Sequence, residues 1–146
     1  MMLSSYLDEQ RVLLDVEERS YGELLKKMLG KSIEKDAEQI IEMILRREKI
    51  MPTILGKGIF LPRVVLRNKK KSEVIIAISP TGLKFDDYGA VPAGIVMLFL
   101  FAEQDDHPAI LAQTLRLLTD DSLRSDLFLG KKPKDIIKAI RKWEEE

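Results

Sequence analysis

The chain has 146 residues, with 24 Lys and Arg against 24 Asp and Glu, one histidine (His107) and no cysteine. That length fits one domain, assigned to residues 1–146, and 45% apolar with 33% charged residues is the composition of a globular chain rather than a disordered one. Zero formal charge gives no long-range pull on nucleic acid, the missing cysteines remove thiolate, disulfide and Cys-based metal chemistry, and a lone histidine rules out an intrachain His pair.

The N-terminal MMLSSYLDEQ has neither the basic nor the apolar character of a secretion signal. The uncharged stretch from Gly89 to Ala102 is shorter than the roughly 20 residues that span a bilayer. The expectation is a cytoplasmic protein with no direct membrane insertion, no metal and no cofactor.

In chain order, Arg11 to Val16 (RVLLDV) is predicted as a short strand. Ser20 is a suitable N-cap for a helix through Leu29, with Gly30 stopping it. From Ser32 to Lys49 the residues Ile33, Ala37, Ile40, Ile41, Ile44 and Leu45 recur at helical spacing. Pro52, Gly56 and Gly58 then break the chain, and a β-favouring run follows from Ile59 to Leu66. Gly56-Lys57-Gly58 is too short for a phosphate-cradling P-loop and reads as turn chemistry.

Lys69, Lys70 and Lys71 are predicted as a solvated turn. Val74 to Ser79 (VIIAIS) has the continuous apolar character of a strand covered on both faces. After a turn at Pro80-Thr81-Gly82, Leu83 to Tyr88 is predicted as an edge or return strand, and Ile95 to Ala102 (IVMLFLFA) as the most buried strand. Pro108 opens a helix to about Leu118, Asp120 or Asp121 caps another reaching Leu129, and Pro133 starts a last one with Ile136, Ile137 and Ile140 on one face. Trp143 is expected to anchor that last helix on the sheet. The elements imply an α/β three-layer sandwich: a mixed, mostly parallel sheet of about five strands with an antiparallel edge, flanked by helices.

Residues Arg47 to Val64 read REKIMPTILGKGIFLPRV. This segment resembles the IIA domain of the fructose/mannitol class of the bacterial phosphoenolpyruvate-dependent phosphotransferase system, including its nitrogen-regulatory branch. In that family a helix ends in Arg-Glu-Lys, a loop carries Pro-Thr and Gly-x-Gly-Ile, and the next strand carries Pro-His-Gly. Arg47, Glu48 and Lys49 match the first, Pro52, Thr53, Gly56, Gly58 and Ile59 the second, and Pro62 the third. The likeness extends over nearly the whole chain, with His107 in DDHPAILAQTLRLL matching the second family histidine.

The resemblance places Arg63 where the family has its phosphoryl-accepting histidine, and Val64 where it has glycine. Guanidinium is protonated at any working pH and has no lone pair to attack phosphorus, so Arg63 does not replace an imidazole nucleophile. The resemblance further implies that Arg47, Arg63, His107 and the loop around Thr53 line one shallow pocket at the strand ends.

Two readings of Arg63 stand at this point: part of an anion site for a phosphate ester, a carboxylate or an acidic loop of a partner, or an internal ion pair with Glu48, Asp105 or Asp106. His107 reads as a helix-start residue with its ring near solvent or capping the first turn. For function, the first hypothesis is a phosphorylation-incompetent relative that regulates by binding the system's phosphocarrier, a transporter or a regulated enzyme. The alternatives are an active phosphocarrier in sugar transport with His107 as acceptor, which leaves enzyme status open, and a scaffold whose pocket is vestigial.

Overall fold

The computed structural model describes residues 2–89 and 91–146. Ala90, in the lead-in to the most buried strand, lies outside the described residues. Two short 3₁₀ turns, Leu3–Tyr6 and Glu9–Arg11, lead into β1 (Val12–Leu13), α1 (Tyr21–Leu29) and α2 (Ala37–Ile50). The chain continues through β2 (Ile59–Phe60), β3 (Arg63–Leu66), β4 (Glu73–Leu83) and β5 (Ala93–Ala102). It ends in α3 (His107–Leu118), α4 (Asp121–Leu129) and α5 (Pro133–Glu144).

The helix starts follow local chemistry. The Ser20 hydroxyl accepts from the Glu23 amide at 3.0 Å, and the Asp106 carboxylate from the Ala109 amide at 3.1 Å. Asp120 accepts from the amides of Ser122 and Leu123, and Pro108 and Pro133 occupy first turns where a missing N–H costs nothing. Gly30 ends α1 in right-handed geometry, so a left-handed terminus is not what stops that helix.

Among the described residues the sheet has five strands. β4 and β5 pair antiparallel at its centre, with Ile75 opposite Leu98 and Ala77 opposite Val96. β1 pairs parallel with the outer side of β4, and β2 and β3 both pair parallel with the far side of β5. The antiparallel ladder expected at an edge is therefore the middle and longest one. The predicted run from Ile59 to Leu66 is split at Leu61-Pro62, where proline cannot donate to the ladder and its carbonyl instead accepts from Phe99 at 2.9 Å.

Successive residues of the central strands face opposite layers, as the period of two demands. Val74, Ile76, Ile95, Met97, Phe99 and Phe101 pack with α3, α4 and α5. Ile75, Ala77, Val96, Leu98 and Leu100 pack with α1 and α2. Covered on both faces, β5 has no place for a charge, and its IVMLFLFA run follows from that. Trp143 packs on the first of these clusters and donates its Nε1–H to Asp120 at 3.2 Å.

Several expected features differ. The strand pairing around Arg11 to Val16 covers only Val12 and Leu13. Ile33 precedes α2 and is 72% exposed, because Ser32 and the Ile33 amide bond to Glu73 and hold this stretch out of the helix. The segment Pro80-Thr81-Gly82 does not turn: β4 runs through it with a register shift, Gly82 taking φ +85°. Beyond Leu83 there is no strand among the described residues to Tyr88, whose ring stacks on Tyr21 at 4.5 Å. Lys69 is buried rather than solvated, with its ammonium between Glu34 and Glu73. No described helix is long and apolar enough to cross a membrane.

Candidate functional site

β3 opens with Arg63, α3 opens with His107, and the last turns of α2 carry Arg47. Pairing of Arg63 with Phe99 and of Val65 with Phe101 brings the start of β3 alongside the end of β5, where α3 begins. These three elements meet around a cleft of about 370 Å³ lined by Arg47, Arg63, Val65, Phe101, His107 and Leu111, among others. Three of the four residues expected to share a pocket do so.

Thr53 is the exception. It is buried, its amide donates to Glu48 Oε2 at 2.9 Å and its hydroxyl donates to Glu48 Oε1, so its polar atoms face the protein and not the cleft. Glu48 is 3% exposed and also accepts from the Tyr88 hydroxyl at 2.5 Å and the Tyr21 hydroxyl at 3.4 Å. A buried carboxylate needs such donors, and here hydroxyls and an amide supply them without a cation.

The internal ion pair foreseen for Arg63 is not formed. Among the described residues no carboxylate lies within ion-pair distance of Arg47 or Arg63. Glu48 is occupied as above, Asp105 accepts the Ser72 hydroxyl at 2.6 Å, and Asp106 caps α3. Burial pushes the Arg63 guanidinium below the ordinary arginine range, the nearby Arg47 charge pushes the same way, and Glu48 partly opposes both. Arg63 still keeps its charge at any working pH.

His107 does not cap α3, since Asp106 does. Its half-buried ring stacks on Phe101 with centroids 4.6 Å apart and planes 16° from parallel, and Nε2 lies 2.8 Å from the Ala102 carbonyl oxygen. Sequence reading also missed an apolar patch beside the cleft. Met43, Arg46, Arg47, Ile50 and Met51 line a second depression of about 420 Å³, with Ile50 82% and Met51 58% exposed. The signal was present: Met43 and Ile50 fall outside the buried stripe of α2.

A family model, described as the phosphoenolpyruvate-dependent sugar phosphotransferase system, EIIA 2, matches residues 5–143. The chain belongs to this EIIA type 2 family. Among relatives of this EIIA type 2 domain, a nitrogen regulatory protein of Bradyrhizobium diazoefficiens is 25% identical over 132 residues, which cover 87% of this chain and 86% of the relative. The crystal structure of nitrogen regulatory protein IIA-Ntr from Neisseria meningitidis superposes with a TM-score of 0.78 at 19% identity, covering 94% of this chain and 98% of the other. The mannitol enzyme IIA of Escherichia coli, solved in complex with phosphorylated mannitol enzyme IIB, superposes with a TM-score of 0.71 at 20% identity, covering 93% and 97%. At these identities the superpositions establish a shared fold. The mixed five-stranded sheet between two helical layers is thus the EIIA type 2 architecture.

Proposed function

We propose that this EIIA type 2 domain works in the cytoplasm as a regulatory binding domain that does not accept a phosphoryl group. The observation that carries this reading is the pairing of two arginines, Arg47 and Arg63, on one cleft with no carboxylate among the described residues in ion-pair contact. Like charges brought together without a counter-ion repel, and an anion bound between them relieves that repulsion while taking bidentate hydrogen bonds from both forks. In the family resemblance Arg63 stands at the position of the accepting histidine, and a guanidinium has no lone pair to form a bond to phosphorus. The ligand class is a phosphate, a phosphate ester, a carboxylate or an acidic loop. The exposed Ile50 and Met51 beside Arg47 supply apolar contact area for a protein partner, either the small phosphocarrier or a regulated transporter or enzyme.

Incubation with phosphoenolpyruvate, the general phosphotransferase enzyme and its small phosphocarrier, followed by intact mass, tests the first half. The expected result is no acid-labile phosphate. Stoichiometric phosphate that disappears in His107→Ala would show an active phosphocarrier using His107 and overturn the proposal. Titration with inorganic phosphate tests the second half: Arg47→Gln and Arg63→Gln should each weaken binding by tenfold or more, roughly the worth of one charge-assisted pair. The double change Arg63→His, Val64→Gly is the complementary experiment, and gain of acid-labile phosphate is its expected result.

A further inference from the structure

The imidazole in the cleft is oriented by side chains that do not line it. Nε2 of His107 lies 2.8 Å from the carbonyl oxygen of Ala102, which also accepts the Asp105 amide at 3.2 Å. A carbonyl oxygen only accepts, so Nε2 carries the proton, and Nδ1 of the neutral ring keeps the lone pair. Among the described residues no protein group bonds to Nδ1.

The Ala102 peptide is fixed from outside the cleft. Ser72, 1% exposed just before β4, accepts the Ala102 amide on its Oγ at 2.8 Å. Its hydroxyl donates to Asp105 Oδ2 at 2.6 Å, and its own amide donates to the same oxygen at 3.2 Å. The turn from Ala102 to Asp105 is therefore closed on itself through Ser72, and the Phe101 ring holds the imidazole plane against it. A network in which every member is partnered favours one arrangement strongly, because each alternative strands a buried polar atom.

Resting on the reading of the cleft as an anion site, we infer that Ser72 and Asp105 are positioning residues that lock His107 as its Nε2–H tautomer, making the cleft selective for anions that still carry a proton. Nδ1 then faces the ligand as a hydrogen-bond acceptor beside two cationic donors. Monohydrogen phosphate and its monoprotonated esters satisfy both: charged oxygens take the guanidinium forks and the remaining P–OH donates to Nδ1. Sulfate has the same shape but carries no proton at neutral pH, so Nδ1 is left facing a lone pair. Discrimination rests on one hydrogen bond, and an acceptor left facing another lone pair is the source of that selectivity.

Because His107 is the only histidine, nitrogen-15 spectra of the imidazole report it without assignment ambiguity. At a pH where the ring is neutral, the full chain should show a protonated, slowly exchanging Nε2 and an unprotonated Nδ1. Phosphate should bind about tenfold more tightly than sulfate, the worth of one hydrogen bond. In Ser72→Ala and in Asp105→Ala the Nε2 proton signal should be lost to exchange and the preference for phosphate should collapse. Asp105→Asn, whose amide oxygen still accepts from Ser72, should keep both.

A wild-type ring protonated on Nδ1, or an Nε2–H signal unchanged in both alanine variants, would overturn the lock. Equal affinity for phosphate and sulfate would overturn the selectivity. Failure to bind either anion would count against the anion site itself, and the imidazole spectra would still decide the lock alone.

Discussion

The Lys69 ammonium lies 2.7 Å from Glu73 Oε1 and 2.7 Å from Glu34 Oε2, with its side chain 1% exposed. A lysine in a KKK turn has thus been drawn inside to neutralise the first residue of the central strand β4. Removing this cation leaves the buried Glu73 carboxylate with only the more distant Arg11 guanidinium, at 3.8 Å, as counter-charge, and that is the costly way to break such a pair. Lys69→Met is expected to lower stability by about 3 kcal/mol, and the double change Lys69→Met, Glu73→Gln by less than that. Urea unfolding midpoints at neutral pH measure both.

The same pair sets an acid limb. Burial pushes the Glu73 carboxyl up, but hydrogen bonds from Lys69 and Ser32, the Lys69 charge and the Ile33 amide together bring it below its ordinary value of 4.5. A carboxyl with its folded value depressed contributes stability that is fully present above the unfolded value and lost as pH falls through the folded one. The difference in unfolding midpoint between wild type and Lys69→Met should therefore narrow below about pH 4.5. A gap that stays constant from pH 7 to pH 3 would contradict this.

The tyrosines act on the alkaline side. Burial first, then Glu48, by its charge on Tyr21 and by its hydrogen bond and charge on Tyr88, pushes both hydroxyls well above the ordinary phenol value of 10.0, and burial with Asp105 raises Tyr6. These are all three tyrosines of the chain. Raised folded values give stability that is complete below the unfolded value and lost as pH rises past it. Absorbance titration should show the Tyr21 and Tyr88 steps displaced well above pH 10, their ionisation arriving together with unfolding. Glu48→Gln should move the onset to lower pH, because it removes the charge that opposes phenolate.

Gly58 is required by close approach. It takes φ +73°, and a Cβ there would lie 2.7 Å from the Pro92 carbonyl oxygen and 3.1 Å from the Gly94 amide nitrogen. Its own carbonyl accepts from Gly94 and Ile95 at 2.8 and 3.1 Å, seeding the β2–β5 pairing. Gly58→Ala should cost about 2 kcal/mol or more by denaturant unfolding and speed amide exchange at Ile95. Gly56→Ala, with φ +87° but open space around it, should cost less.

The His107 stack should be measurable apart from any ligand. His107→Ala loses the ring contact with Phe101 and the bond to Ala102, a loss of about 2 kcal/mol. His107→Phe restores the ring and should recover part of it. Equal stability of the two variants would mean that the stack contributes nothing.

Much of this protein is written in local sequence. The helices from Ser20, Pro108, Asp120 and Pro133 were legible because capping residues and apolar periodicity act over a few positions. The doubly buried strand Ile95 to Ala102 was legible because no polar residue interrupts it. The family was legible in Arg47 to Val64, whose turn glycines and prolines keep their spacing. That segment drew attention to Arg47 and Arg63, and the wider resemblance to His107, and the fold gathers all three around one cleft.

Local residue chemistry thus set the elements and the identity of the residues near the strand ends. Which polar groups satisfy one another was settled by folding, because a hydrogen-bond partner far along the chain leaves no periodic trace. Thr53 turned inward to Glu48, 5 residues away, while Glu48 also met Tyr88, 40 residues away. Lys69 left solvent for Glu34 and Glu73, and Asp105 went to Ser72. With those carboxylates taken, Arg63 has none in ion-pair contact among the described residues, a consequence of packing rather than of any motif.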